Sequence, residues 1–241
     1  MLDLYQGDMT YVLHYAPDNA SLVIRLALEH IGVPYRCALV DRSTNAQMSD
    51  AYKTLNPNGL IPTLETDQGV LFETGAILLW LADRHGGLGP AMDSTERGDF
   101  LKWLFFVSNT VHPSLRQLFY PDQFTGPDPA HQAVLRDHAK QALNAHHTML
   151  NTLAAAGHSW CAGQTPSALD FYIAATLRWP AIYPADQDRS WHNIANYPAL
   201  HDMCLRLEAL PIIQSLIQAE GMNATPFTAP QAPNPPEGSA T

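Results

Sequence analysis

Two short runs hold the groups from which chemistry can be read. The first is Leu55-Asn56-Pro57-Asn58-Gly59-Leu60-Ile61-Pro62-Thr63-Leu64, and the second is Leu71-Phe72-Glu73-Thr74-Gly75-Ala76-Ile77. Pro62 opens an apolar strand; with no N–H for the ladder, it belongs at a strand start or an edge. Proline is also the residue type that permits a cis peptide bond, and a cis bond there would turn the N–H and C=O of Ile61 toward an extended ligand. Glu73-Thr74 stands just before an apolar helix over 76–85. The unpaired N–H groups of a helix start suit a ligand carboxylate. On residues alone, the pair is a strand–turn–helix unit with a candidate anion site, or the same unit with no ligand.

Composition narrows the partners. The formal charge of −10, with 13 Lys plus Arg, argues against nucleic acid or an anionic membrane as the main partner. A small anionic ligand would need local donors. With 46% apolar residues in 241, a core forms without metals or disulfides. Cys37, Cys161 and Cys204 are few, odd in number and widely spaced, which suits free, buried thiols in a reducing compartment. No basic-then-apolar leader opens the sequence and no apolar run is long enough to span a bilayer, so a cytoplasmic location is expected. His146-His147 and His201 lack metal-ligand spacing with a third partner, so they read as surface or capping residues, and no metal site is expected.

The elements that must position the two runs alternate strand and helix. Strands are expected over 11–14, 35–40, 63–65 and 70–72, with helices over 21–31, 49–55 and 74–85. In the first helix Leu22, Leu26 and Ile31 are apolar among polar Arg25, Glu29 and His30; Gly32 and Pro34 end it. Gly86-Gly87-Leu88-Gly89-Pro90 reads as a linker, and everything after it is helical in pattern. Pro113 should kink the long helix over 95–119. The helix over 129–156 repeats apolar Val134, Ala139, Leu143, Met149 and Leu153. Further helices are expected over 166–179, 198–210 and 211–220, and Ser167 with Asp170 fits an N-terminal capping box with a role in stability. The expected division is 1–86 for the α/β part, 87–95 for the linker, 96–221 for the all-helical part, and 222–241 for a Pro/Ala-rich tail, disordered or wrapped as an extended arm.

The ordered pair N-P-x-G-x-I-P-x-L and E-T-x-A-I resembles the glutathione-binding half of the cytosolic glutathione transferases. That resemblance spans about 11–221. It implies a thioredoxin-like domain followed by an all-α domain, assembled as a homodimer, with a cleft between the domains for glutathione and a hydrophobic electrophile. Asn58, Ile61, Pro62, Glu73 and Thr74 are then the glutathione-binding positions, and the thiol lies near the end of the first strand. The segment Tyr15-Ala16-Pro17-Asp18-Asn19-Ala20-Ser21-Leu22 is similar to the bacterial beta class, except that Ala20 replaces that class's cysteine. A mixed disulfide at that position is therefore impossible.

Candidate thiol donors are Ser21, or a plain helix cap there; Asn19, or a turn residue; and Tyr15, or aromatic packing. Trp103-Leu104-Phe105-Phe106 through Val111-His112 matches the beta-class fourth helix, so His112 is a fourth candidate or a structural histidine. Asn45 stands where that class has a basic residue. Phe119, Tyr120, Trp179 and Tyr183 are pocket or core aromatics. The implied reaction is attack of the glutathione thiolate on an electrophilic carbon. A glutathione-dependent disulfide or peroxide reductase and a non-catalytic binding protein of the same fold remain open.

Overall fold

The computed structural model describes residues 11–241. Expectations about a leader, and about the first ten residues of the 1–86 segment, fall outside the described residues. Strands β1 (Tyr11–Tyr15), β2 (Tyr35–Leu39), β3 (Thr63–Thr66) and β4 (Gly69–Phe72) form one sheet in the order β2-β1-β3-β4. β1 pairs parallel with β2 and antiparallel with β3, and β3 pairs antiparallel with β4. The parallel pair needs a crossover helix, and α1 (Ser21–Ile31) provides it. A four-residue helix, α2 (Asp50–Lys53), leads toward β3, and α3 (Thr74–His85) follows β4. This is the thioredoxin-like order expected from the sequence.

Helix α1 departs from a one-sided amphipathic pattern. Leu22 to Leu28 are all buried, Arg25 included, because the helix is surrounded by the sheet, α3 and two later helices. Gly32 ends it in the left-handed region at φ 67°.

After the glycine-rich stretch the chain is helical. It forms α4 (Arg97–Phe106), α5 (His112–Phe119), α6 (Asp122–Thr125), α7 (Pro129–Ala155), α8 (Ala168–Ile182), α9 (Pro198–Glu208) and α10 (Pro211–Glu220). The kink expected at Pro113 is instead a wide turn: Val107–Val111 is π-helical, and the His112 N–H reaches the Val107 carbonyl. The widened turn precedes Pro113, which sits in the first turn of α5, where a missing N–H costs least. On α7, the helix expected from the spacing, Ala139, Leu143 and Leu153 are buried, while Val134 and Met149 are exposed. Ser167 and Asp170 form the expected capping box. Asp170 is buried, and burial raises its carboxyl to about 6 against its hydrogen bonds from Ala162 and Ser167. Residues 222–241 contain neither helix nor strand, yet Phe227 is buried, so this segment is a packed arm and not a loose tail.

The turn between β1 and α1 is tied to the helical half by one carboxylate. Asp18 accepts from Arg178 Nε at 2.8 Å and Nη2 at 2.9 Å, from Trp179 Nε1 at 3.2 Å and from the Tyr183 hydroxyl at 2.9 Å. Asp18 and Arg178 are both fully buried as a pair. The Asp18 N–H donates to Glu220 at the end of α10, and Glu220 also accepts from Arg25 at 2.7 Å. Removing one member of a buried pair strands the other charge. Arg178→Met is therefore expected to lower stability by about 3–5 kcal/mol in urea unfolding; a loss below about 1 kcal/mol would contradict this role.

Candidate active site

The loop before β3 is shaped by buried polar groups. The Leu60 carbonyl accepts from Asn56 Nδ2 and from the Tyr52 hydroxyl, each at 2.8 Å. The Asn58 N–H donates to Asn56 Oδ1 at 3.1 Å. These bonds engage Leu60 and leave the next peptide, Ile61-Pro62, at the cleft; that bond is cis. Across from it stands Glu73 at φ 72°, ψ 114°, a backbone region that non-glycine residues rarely occupy. Thr74 begins α3, whose first N–H groups have no partner within the helix. Gly75 follows, and a Cβ there would come within 3.1 Å of Ser108 in the π turn. That close approach sets α3 against the helical half.

Asn58, Ile61, Pro62, Glu73 and Thr74 all line one cleft of about 1190 Å³. So do Asn19, Ala20 and His112, together with Phe119, Tyr120, Trp179 and Tyr183. The four aromatics thus form a wall facing the two motif runs.

The four candidate thiol donors separate. Asn19 is in the cleft wall, and its side-chain amide donates to the Pro17 carbonyl at 3.1 Å and the Ala240 carbonyl at 3.2 Å. Ser21 is fully buried, and its hydroxyl donates to the Ala16 carbonyl at 3.0 Å. It neither reaches the cleft nor caps α1, so both sequence readings of Ser21 are corrected: the hydroxyl closes the preceding turn. Tyr15 is buried at the strand end, and its hydroxyl donates to Glu237. Burial, followed by the Glu237 carboxylate, pushes its phenol well up, so it stays protonated.

His112 Nδ1 lies 2.7 Å from the Tyr172 hydroxyl, and its ring faces Trp179 at 5.3 Å between centroids. Burial, with Arg116 nearby, lowers its pKa to about 4. His112 is therefore a neutral imidazole at pH 7, able to share a proton but not to offer a positive charge.

Sequence reasoning missed Arg42. The expected basic position, Asn45, is exposed and left-handed at φ 56°. Arg42, three residues earlier, points into the cleft and donates to the Ala240 carbonyl at 2.7 Å and the Tyr120 hydroxyl at 3.0 Å. The spacing rule failed because a 3-10 turn over Arg42–Thr44 reverses the chain there. His147 is also corrected. It is buried beside His192, with ring centroids 5.4 Å apart, and is not on the surface. Cys161 and Cys204 are buried as expected, whereas Cys37 is exposed on the edge strand β2. Among the described residues no cluster of three or more His, Cys, Asp or Glu is placed to hold a metal. No helix among them is long and apolar enough to cross a membrane.

The pH dependence of stability follows from His112. Between pH 4 and 6.5 the unfolded chain binds a proton at this imidazole that the folded chain refuses. The His112 contribution to stability therefore falls as pH drops through that window, by on the order of 3 kcal/mol, while Asp170, raised to about 6 in the fold, works the other way over its lower part. His147 and His192 are shifted in the same direction as His112 by burial and share its slope. His112→Gln should flatten the pH dependence of urea midpoints between pH 4 and 6.5; an unchanged slope would contradict a desolvated neutral imidazole.

Comparison with known proteins extends the likeness along the chain. Residues 20–84 match the family described as glutathione S-transferase, N-terminal domain. Glutathione S-transferase GST-4.5 of Xanthomonas campestris pv. campestris is 30% identical over 213 residues, which cover 88% of this chain and 99% of that one. Disulfide-bond oxidoreductase YfcG of Escherichia coli (strain K12) is 28% identical over 216 residues, covering 86% of this chain and 95% of that one. The structure of a sphingomonad glutathione S-transferase complexed with glutathione is 30% identical, with a TM-score of 0.70 over 87% of this chain and 98% of that one. With this sheet, this helical half and a likeness that runs nearly end to end, the chain belongs to the glutathione S-transferase family.

Proposed function

We propose that the chain is a glutathione transferase that lowers the pKa of the glutathione thiol for attack on a hydrophobic electrophile. The observation that carries this is that the Ile61-Pro62 loop, the Glu73-Thr74 helix start and Asn19 face one cleft whose far wall is aromatic. In this reading the α-amino and carboxylate groups of the γ-glutamyl end sit at Glu73 and the first amides of α3. The cysteinyl backbone pairs with the Ile61 peptide beside Asn58 and Pro62. Arg42 takes the glycyl carboxylate, as a cation that Asn45 could not supply. The thiol then lies at the β1–α1 turn.

There the Asn19 amide and the amides that open α1 stabilise the thiolate, Tyr15 is a protonated donor close by, and neutral His112 shares a proton with the reacting groups. A thiol of pKa about 8.5 gains thiolate at neutral pH from such donors. The proton leaves to solvent, the sulfur forms a bond to carbon, and the leaving group departs with its electron pair. Phe119, Tyr120, Trp179 and Tyr183 hold the electrophile. With Ala20 where a cysteine would form a mixed disulfide, the chemistry runs through glutathione's own sulfur.

The division into a 1–86 glutathione-binding domain, an 87–95 linker and a 96–221 helical domain belongs to this reading, as do homodimeric assembly and a cytoplasmic location. A second reading, reduction of small disulfides by glutathione, is favoured by Asn19 in the cleft and by the likeness to the disulfide-bond oxidoreductase. Rates on a small disulfide and on an aromatic halide separate the two.

Glu73 separates binding from folding. Its backbone conformation costs a non-glycine residue about 1–3 kcal/mol. Glu73→Gly should thus unfold at an equal or higher urea concentration, yet lose glutathione affinity by about tenfold or more in calorimetry. Ser21→Ala, which removes a buried hydroxyl that does not line the cleft, should leave affinity nearly unchanged. Undiminished binding by Glu73→Gly would contradict the assignment.

A further inference from the structure

Residues 222–241 are the part of the chain that the proposed function leaves unused, and they are fastened in two different ways. The first part is anchored in the helical half. The Pro226 and Gln231 carbonyls accept from Arg178 at 2.8 and 3.2 Å, Glu208 accepts from the Phe227 and Thr228 N–H groups at 2.8 Å, and the Asn234 N–H donates to the Gly221 carbonyl at 2.8 Å. Beyond Pro235 the contacts move to the β1–α1 turn. Tyr15 donates to Glu237, and the Ala240 carbonyl accepts from Asn19 Nδ2 at 3.2 Å and from Arg42 Nη1 at 2.7 Å. Gly238, at φ +70°, lies so close to the turn that a Cβ there would come within 2.6 Å of Leu39 Cδ1 and 3.4 Å of Pro17 Cδ.

These contacts use the groups that the glutathione reading needs. Both protons of the Asn19 side-chain amide are committed, one to Pro17 and one to Ala240. The single proton of the Tyr15 hydroxyl goes to Glu237. With residues 237–241 seated, neither side chain can donate to a thiol sulfur, Arg42 is held by a neutral carbonyl, and the Glu237 carboxylate takes the Tyr15 proton that a thiolate would otherwise use. The hold is nonetheless slight. Glu237 and Gly238 are exposed, the segment has no helix or strand, and the anchors at 226–234 do not depend on it.

We propose that residues 237–241 are an autoinhibitory segment, an intramolecular competitor for the thiol end of the glutathione site that must swing away, hinged near Pro235-Pro236, before glutathione binds with its sulfur at Asn19. This rests on the glutathione reading above. Glutathione then meets only the fraction of molecules with the segment released, and apparent affinity falls in proportion to that fraction.

The test compares three proteins by calorimetric titration with glutathione: the full chain, a chain stopped after Pro235, and the full-length Gly238→Leu variant, whose side chain has no room against Leu39. Stopping after Pro235 keeps every anchor at 226–234. Both variants should bind glutathione about fivefold tighter or more, as release of a segment seated most of the time requires. A synthetic peptide of residues 237–241, added to the shortened chain, should raise its apparent Kd. Equal affinity in all three proteins overturns the segment's role and leaves the glutathione reading standing. Weaker binding by the shortened chain also overturns it, because the segment would then be part of the bound site. Absence of binding by all three overturns both.

Discussion

The buried carboxylate of Asp18 is the constraint on which the site depends. It lies in the turn between β1 and α1, held at φ 50°, a conformation that an aspartate tolerates but does not prefer. Four bonds from Arg178, Trp179 and Tyr183 keep it there. The turn it fixes carries Tyr15, Asn19 and Ala20, and the helix that grips it carries Trp179, with Tyr183 just past its end, both in the cleft wall. One ion pair therefore sets the distance between the thiol end of the cleft and the surface facing it. A buried pair is not an efficient source of stability compared with apolar packing, but it specifies one arrangement sharply, because every alternative leaves a charge without a partner.

A second pair extends that constraint to the end of the chain. Glu220 closes α10 and receives both Arg25 of α1 and the Asp18 amide. Arg178, in turn, holds two carbonyls of the arm that follows. The turn, the helical half and the arm therefore share one network of buried charge. The arm's course past the cleft follows from where that network places residues 226–234.

Much of this was legible in sequence. The two motif runs, the strand–helix alternation and the capping box at Ser167 depend on local rules: proline without an N–H, glycine at a helix end, a side chain reaching three residues back. Asn58, Ile61, Pro62, Glu73 and Thr74, the positions proposed to hold glutathione, line one cleft. What local rules could not resolve were the long-range partners. Arg25 and Glu220 look like surface charges on helix faces, and only the packing of α1 among four neighbours buries them. Arg178 left a signal, since it is the one charge inside the apolar run from Phe171 to Ile182, and a charge there demands a buried partner. Ser21 misled because a hydroxyl at a helix start looks the same in sequence whether it faces a ligand or turns back to its own chain. Arg42 was missed because a turn, not a spacing, aims it. Val134 and Met149 keep helical spacing on a face that meets no core.

In the function proposed here, the β1–α1 turn receives the glutathione sulfur as a stabilised thiolate without a protein cysteine. The ultraviolet thiolate absorbance of the saturated glutathione complex, followed against pH, decides this. A bound-thiol pKa at least about one unit below the ordinary value of about 8.5 is expected. An unshifted pKa in a saturated complex would contradict it, leaving a cleft that holds the peptide but does not activate its sulfur.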